Sequence, residues 1–171
     1  MKSLFKLASL AAAIVGSVAW ASAQQREPEL DNCILSNYQS GHQVVLDGTV
    51  QSGGSGTFLY VRGCKYPVVI QYPSNLSDAE KDDIPALHQD DNLNKLNSEL
   101  KEHPTKAVSA SLFGRLDVAK PVPEGATVRL GMIFDKSGKY IGVYGFGNPV
   151  GSYKYRLILI QVNSVTEVPA D

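Results

Sequence analysis

The chain has 171 residues, with 16 basic and 17 acidic side chains and a formal net charge of −1. That length suits one domain with its own core. The balance of charge excludes the strongly basic footprint of a nucleic-acid binder, and no stretch after the N-terminal region is apolar over the ~20 residues needed to cross a bilayer.

The N-terminus reads as an export signal. Lys2 and Lys6 precede Leu7 to Trp20, an uncharged run of 14 residues rich in Ala, Leu and Val. Ala21-Ser22-Ala23 then places small residues where a signal peptidase reads. The run is shorter than the ~20 residues of a membrane span, so a signal peptide over 1–23, removed after about Ala23, is expected rather than an anchor. Loss of Lys2 and Lys6 would move the net charge from −1 to about −3. The protein is then expected in the periplasm or outside the cell. In that oxidising setting Cys33 and Cys64 are expected to form a disulfide. Two thiols without a CxxC spacing do not make a metal shell, and no metal or cofactor is expected.

Residues 24–41 read as an N-terminal lead-in that carries Cys33, and 42–171 as a single domain. In His42 to Gln51, Val44, Leu46, Gly48 and Val50 alternate with Gln43, Val45, Asp47 and Thr49, which predicts a strand. Ser52 to Gly56 breaks it as a turn. Thr57 to Arg62 is a second strand, with Leu59 and Val61 on one face and Phe58, Tyr60 and Arg62 on the other. Pro67 to Tyr72 is a third. The period then changes. Ser77 with Glu80 three residues on has the form of a capping box. Asp90 to Glu102 predicts a helix, with Leu93, Leu96 and Leu100 at i, i+3 and i+7 and a stop at His103-Pro104. One such stripe covers the end of a barrel but cannot form a core alone.

Lys106 to Leu116 returns to period two, with Val108, Ala110, Leu112, Gly114 and Leu116 on one face and Ser109, Ser111, Phe113 and Arg115 on the other. Thr127 to Phe134 and Lys139 to Tyr144 flank Asp135-Lys136-Ser137-Gly138 as an inserted hairpin. Tyr153 to Val162 is the most apolar strand and is expected to be the most buried. Three strands, a helix, a strand, a long excursion and a last strand are the order of an OB-fold, a five-stranded Greek-key barrel with a helix between strands three and four. The fold class expected is therefore mainly β and OB-fold-like. A β-sandwich with one helix is the competing architecture.

The layout resembles that of small exported bacterial proteins of unknown function with OB-fold-like topology. The likeness is carried by the signal peptide, the Val-rich first strand ending near Gly48, and Cys64 after the second strand. It extends to Ser111-Leu112-Phe113-Gly114-Arg115, Gly145-Phe146-Gly147 and Tyr155-Arg156-Leu157-Ile158-Leu159. Asn148 stands where that pattern would have a histidine. The resemblance implies the fold but no activity, cofactor or catalytic residue.

No catalytic motif survives inspection. Gly53-Gly54-Ser55-Gly56-Thr57 begins like a GxSxG elbow but ends in threonine within a turn. Gly145, Gly147 and Gly151 miss the GxGxxG spacing. His42, His88 and His103 lack any ligand spacing, and Asp82-Asp83 and Asp90-Asp91 lack the order of a calcium loop. The richest cluster is aromatic. Tyr140, Tyr144, Phe146, Tyr153 and Tyr155 are interleaved with Lys139, Lys154 and Arg156. Aromatic rings give apolar area at low entropy cost, and tyrosine adds a polar tip. Tyr60, Arg62, Tyr140, Tyr144, Phe146 and Tyr153 are the candidate contact residues.

These features predict a non-catalytic binding module for a protein, peptide or glycan of the cell envelope, with nucleic acid disfavoured by compartment and charge. An envelope hydrolase is the first alternative, and would need a pocket pairing Asp47 or Glu124 with a histidine. A secreted enzyme inhibitor, presenting an anchor on 145–151, is the second.

Overall fold

The computed structural model describes residues 33–103, 106–147 and 153–167. The expected signal peptide over 1–23, the first part of the lead-in, and Asn148 to Ser152 lie outside the described residues. The described chain is mainly β. Strands β1 (His42–Gly53), β2 (Gly56–Val61) and β3 (Val68–Gln71) come first, then a helical turn α1 (Asp78–Lys81) and the helix α2 (Asp91–Glu102). Strand β4 (Val108–Val118) follows. A small sheet of β5 (Thr127–Arg129), β6 (Met132–Phe134) and β7 (Tyr140–Val143) comes next, and β8 (Tyr155–Glu167) ends the described chain.

Five strands close a barrel in the order β1-β2-β3-β8-β4, with β3 and β8 parallel and the other neighbours antiparallel. With the helix between its third and fourth strands, this is the OB-fold-like barrel that the element order predicts. The inward faces are those the alternation assigns. Val44, Leu46 and Val50 of β1, Leu59 and Val61 of β2, and Val108, Leu112 and Leu116 of β4 form one core with Tyr155, Leu157, Leu159 and Val162 of β8. Gly48 and Gly114 sit at crowded crossings. A Cβ on Gly48 would meet the Tyr60 carbonyl oxygen, and one on Gly114 the Ile158 carbonyl oxygen. Glycine at both positions lets neighbouring strands close the barrel.

The helix completes the closure. Asp90 caps α2 by accepting a hydrogen bond from the Leu93 N–H at 2.9 Å. Leu93, Leu96 and Leu100 are all buried in the barrel core. Strand β3 pairs with β8 only from Tyr155 to Ile158, so beyond that point one edge of β8 has no strand beside it. The N–H of His88 donates to the Ile160 carbonyl at 2.8 Å, the Asn92 amide to Asn163 at 2.9 Å, and the Lys95 ammonium to Val165 at 3.3 Å. The helix and its lead-in thus satisfy carbonyls that an open edge would leave for water or another chain. Leu157, Ile158, Leu159 and Ile160 are buried in succession, so this stretch of β8 is covered on both faces.

Cys33 and Cys64 are joined by a disulfide, with Cα atoms 4.4 Å apart. The bond ties the start of the described chain to the corner after β2. Residues 33–41 are held to the barrel by more than that bond: Cys33 and Leu35 are part of the main core, and Leu35 is fully buried.

The excursion between β4 and β8 contains the expected hairpin, as β6 and β7 around Asp135 to Gly138, and adds a third strand to it. Thr127 to Phe134 is not one strand. It folds back at Leu130-Gly131, so β5 pairs with β6 and β6 with β7 in a three-stranded meander. Leu130 has φ of 48° and Gly131 φ of 78°, the positive pair of a tight two-residue hairpin turn. The alternation of apolar residues runs unbroken through the turn, so period alone did not mark it. Leucine is a poor residue here, because a β-carbon in the left-handed region costs roughly 1–2 kcal/mol. Leu130 is also 84% exposed and so recovers little by burial. Leu130→Asn is therefore expected to raise stability by about 1 kcal/mol. A urea midpoint unchanged or lowered in that variant would contradict the strain.

Candidate functional site

The outer face of the barrel carries a depression of about 630 Å³ across β2, β1, β4 and β8. Strand register builds it. Tyr60 lies opposite Thr49, Thr49 opposite Ser109, and Ser109 opposite Thr166, a row that crosses four strands. A second row runs beside it, with Asp47 opposite Ser111 and Ser111 opposite Ser164, and with Arg62 beyond the end of β2. Side chains opposite one another in a ladder share a face, so both rows point outward. The floor is concave because five of its side chains are only serine or threonine. Tyr60 stands 46% exposed among them.

One of the two register shifts in the β4–β8 ladder lies at the edge of this surface. Ser111 pairs with Ser164 but Leu112 pairs with Val162, which leaves Asn163 as the extra residue. The bulge puts Ser164 and Thr166 in step with Ser111 and Ser109 while Val162 and Val165 stay in the core. None of the eight polar side chains lining the depression is hydrogen-bonded or ion-paired to another described residue. Their donors and acceptors face solvent.

A second depression, of about 490 Å³, lies among Pro73, Ser74, Lys81, Ile84 to Leu87, and Gln89. Its lining is largely apolar and proline-bound, with Lys81 as the one charged side chain. It lacks the converging polar groups that give a small-ligand site its specificity.

The sequence candidates fall in three places. Tyr60 and Arg62 line the outer depression. Phe146 and Tyr153 belong to a second, smaller core with Phe58, Val69 and Ala119. There the Phe58 and Tyr153 rings lie 4.9 Å apart, and Phe146 and Tyr153 form an isolated antiparallel bridge. Tyr140 is on β7, exposed, with its ring edge-on to Phe134 at 6.2 Å, while Tyr144 follows β7, half-buried, its N–H bonded to the Gly131 carbonyl. The rings of the excursion are thus split between a packing cluster and the small sheet. They do not converge on one surface, and they are not in the depression with Tyr60.

Arg156, which the sequence sets among those rings, is the hub of an ion-pair network. Its guanidinium donates to Asp117 from Nε at 3.2 Å and from a terminal nitrogen at 2.7 Å, to Gln71 at 3.1 Å, and to Glu80 at 2.9 Å. It also lies 4.8 Å from the centre of the Phe146 ring. Arg115 pairs with the same Asp117 at 3.1 Å. Partial burial pushes the Glu80 carboxyl up, but the Ser77 hydroxyl and the Arg156 guanidinium outweigh it and hold the group below its ordinary value. Ser77 donates to that carboxylate from its N–H, as the capping signature predicts, and from its hydroxyl as well. The Arg156 guanidinium is engaged by internal partners and so ties β3, α1, β4 and β8 together, while the buried Nε of Arg115, though ion-paired with Asp117, makes no hydrogen bond of its own.

The residues that an enzyme reading requires do not meet. Asp47 is the one carboxylate lining the depression, and no histidine lines it. His42 opens β1, His88 lies in the connection before α2, and His103 ends α2. Glu124 is in the exposed turn before β5. Among the described residues no group of three or more His, Cys, Asp or Glu side chains is arranged to hold a metal ion. No helix among them is long and apolar enough to cross a membrane.

Fold and site together define a disulfide-linked, OB-fold-like barrel with a polar, hydroxyl-lined outer face. No family model, curated protein or solved structure matches the chain.

Proposed function

We propose that this protein is an exported, non-catalytic binding module of the cell envelope, and that its ligand lies in the depression over β2, β1, β4 and β8. One observation carries this reading: eight polar side chains converge on a concave surface of about 630 Å³ with no partners among the described residues. That volume is within the ~300–1,000 Å³ of small-ligand sites. Unpartnered donors and acceptors facing one hollow are what a ligand needs and what the fold itself does not use. Export is supported by the disulfide and by the signal-like sequence of residues 1–23.

The test fills the hollow. Ser111→Trp places a large ring on the floor without touching the core face of β4. Wild type and variant are titrated with a panel of envelope oligosaccharides and short peptides. A ligand that binds wild type is expected to be lost by Ser111→Trp and kept by a Tyr140→Ala/Tyr144→Ala variant. Loss in the tyrosine variant and retention in Ser111→Trp would move the site to the small sheet.

A further inference from the structure

The chemistry of the depression is specific enough to name the class of ligand. Its floor is Thr49, Ser109, Ser111, Ser164 and Thr166. Each hydroxyl both donates and accepts, and each rotates to suit its partner. Such a surface matches a ligand that itself presents hydroxyls, alternately donor and acceptor, along its length. At one end Tyr60 offers an exposed ring with an apolar face and a polar tip. A pyranose has the complement, an apolar face of C–H groups edged by hydroxyls.

Two other classes fit less well. An extended peptide binds a sheet by adding a strand to an open edge. Here Thr49 lies between Tyr60 and Ser109, and Ser109 between Thr49 and Thr166, so the floor of the depression is paired on both sides and offers no such edge. A polyanion needs clustered bases, whereas the lining holds one acid, Asp47, and one base, Arg62, which cancel. The planar carboxylate and guanidinium are suited instead to paired hydrogen bonds with adjacent ring hydroxyls.

We infer that the depression binds a short stretch of neutral glycan, with a pyranose ring stacked on Tyr60 and its hydroxyls held by Asp47, Arg62 and the serine and threonine floor. The inference rests on the binding reading above. Calorimetric titration of the disulfide-bonded protein tests it with four probes: cellotetraose, chitotetraose, a heparin tetrasaccharide and an uncharged hexapeptide. At least one of the two neutral sugars is expected to bind, with an affinity insensitive to salt because no net charge is neutralised. Tyr60→Ala is expected to weaken it about tenfold and Tyr60→Phe much less. Each variant is checked for unchanged circular dichroism and melting. Binding of the heparin fragment or the peptide but of neither neutral sugar, with loss in Ser111→Trp, would overturn the glycan inference and leave the binding reading standing. Binding of a neutral sugar that survives both Tyr60→Ala and Ser111→Trp would overturn the assignment of this surface. No binding by any probe would count against both.

Discussion

Asp117→Ala is expected to cost about 3–5 kcal/mol of stability. Asp117 is 7% exposed and accepts from two nitrogens of Arg156 and pairs with Arg115. Removing it leaves two guanidinium groups on neighbouring strands, of which Arg156 alone keeps partners, in Gln71 and Glu80. Uncompensated charge near the interior is the costly outcome, far more than the loss of one attraction. For a domain of this size that loss lowers the melting temperature by roughly 10 °C. The double variant Asp117→Leu/Arg156→Met is expected to lose less than the sum of its single changes, because the residues share one network. Additive losses would show that the pair is not coupled. As a contrast, Asp78→Ala removes an exposed ion pair with Lys81 and is expected to leave stability unchanged.

The network also sets a direction with pH. The Glu80 carboxyl is held below its ordinary value in the folded protein. The unfolded chain therefore takes up that proton first as pH falls, and folded-state stabilisation from Glu80 is complete above the ordinary carboxylate range. It is lost as pH drops through the lowered folded value. Asp135 behaves alike: the Ser137 hydroxyl and the backbone N–H groups of its turn hold its carboxyl down.

The second large effect is expected from the disulfide. Cys33 and Cys64 close a loop with a sequence separation of 31. In the chain-entropy account a loop of that length is worth roughly 3–4 kcal/mol. Cys33→Ser/Cys64→Ser is expected to lose that amount, and more if the buried Cys33 site accepts a hydroxyl poorly. Comparing oxidised and reduced wild type by denaturant titration separates the two contributions. Equal midpoints for the two redox states would contradict a stabilising role for the bond.

The legible parts of this protein were those that local period controls. Alternation in His42–Gln51 and Lys106–Leu116 assigned the inward faces of β1 and β4, and the leucine stripe of Asp90–Glu102 assigned the buried face of α2. The element order then reached the barrel, because few topologies accommodate three strands, a helix and two more. Other features depend on contacts that no local pattern encodes. Leu35 sits in a largely polar stretch, and its place in the core depends on the disulfide and on contacts with β4 that are distant in sequence. The turn at Leu130-Gly131 is hidden inside an apolar run. Arg156 and Asp117 are 39 residues apart in sequence and meet only through the β4–β8 register.

The candidate surface was half legible for the same reason. Tyr60 and Arg62 are conspicuous residue types on the outward face of a strand. Asp47, Thr49, Ser109, Ser111, Ser164 and Thr166 are not, although their signal was present as Ser/Thr at the outward positions of three strands. They come together on one surface only when the register of β1, β4 and β8 sets them in two rows. The tyrosine-rich excursion, by contrast, drew notice by composition. Phe146 and Tyr153 use their rings for packing against Phe58 and Val69.

The most direct test of the central claim is a map of amide chemical shifts in the uniformly labelled, disulfide-bonded protein as cellotetraose and chitotetraose are titrated in turn. The account predicts shifts that saturate and that centre on Asp47, Thr49, Tyr60, Arg62, Ser109, Ser111, Ser164 and Thr166. Shifts confined to Tyr140, Tyr144 and their neighbours on the small sheet, with the barrel rows unmoved, would contradict it.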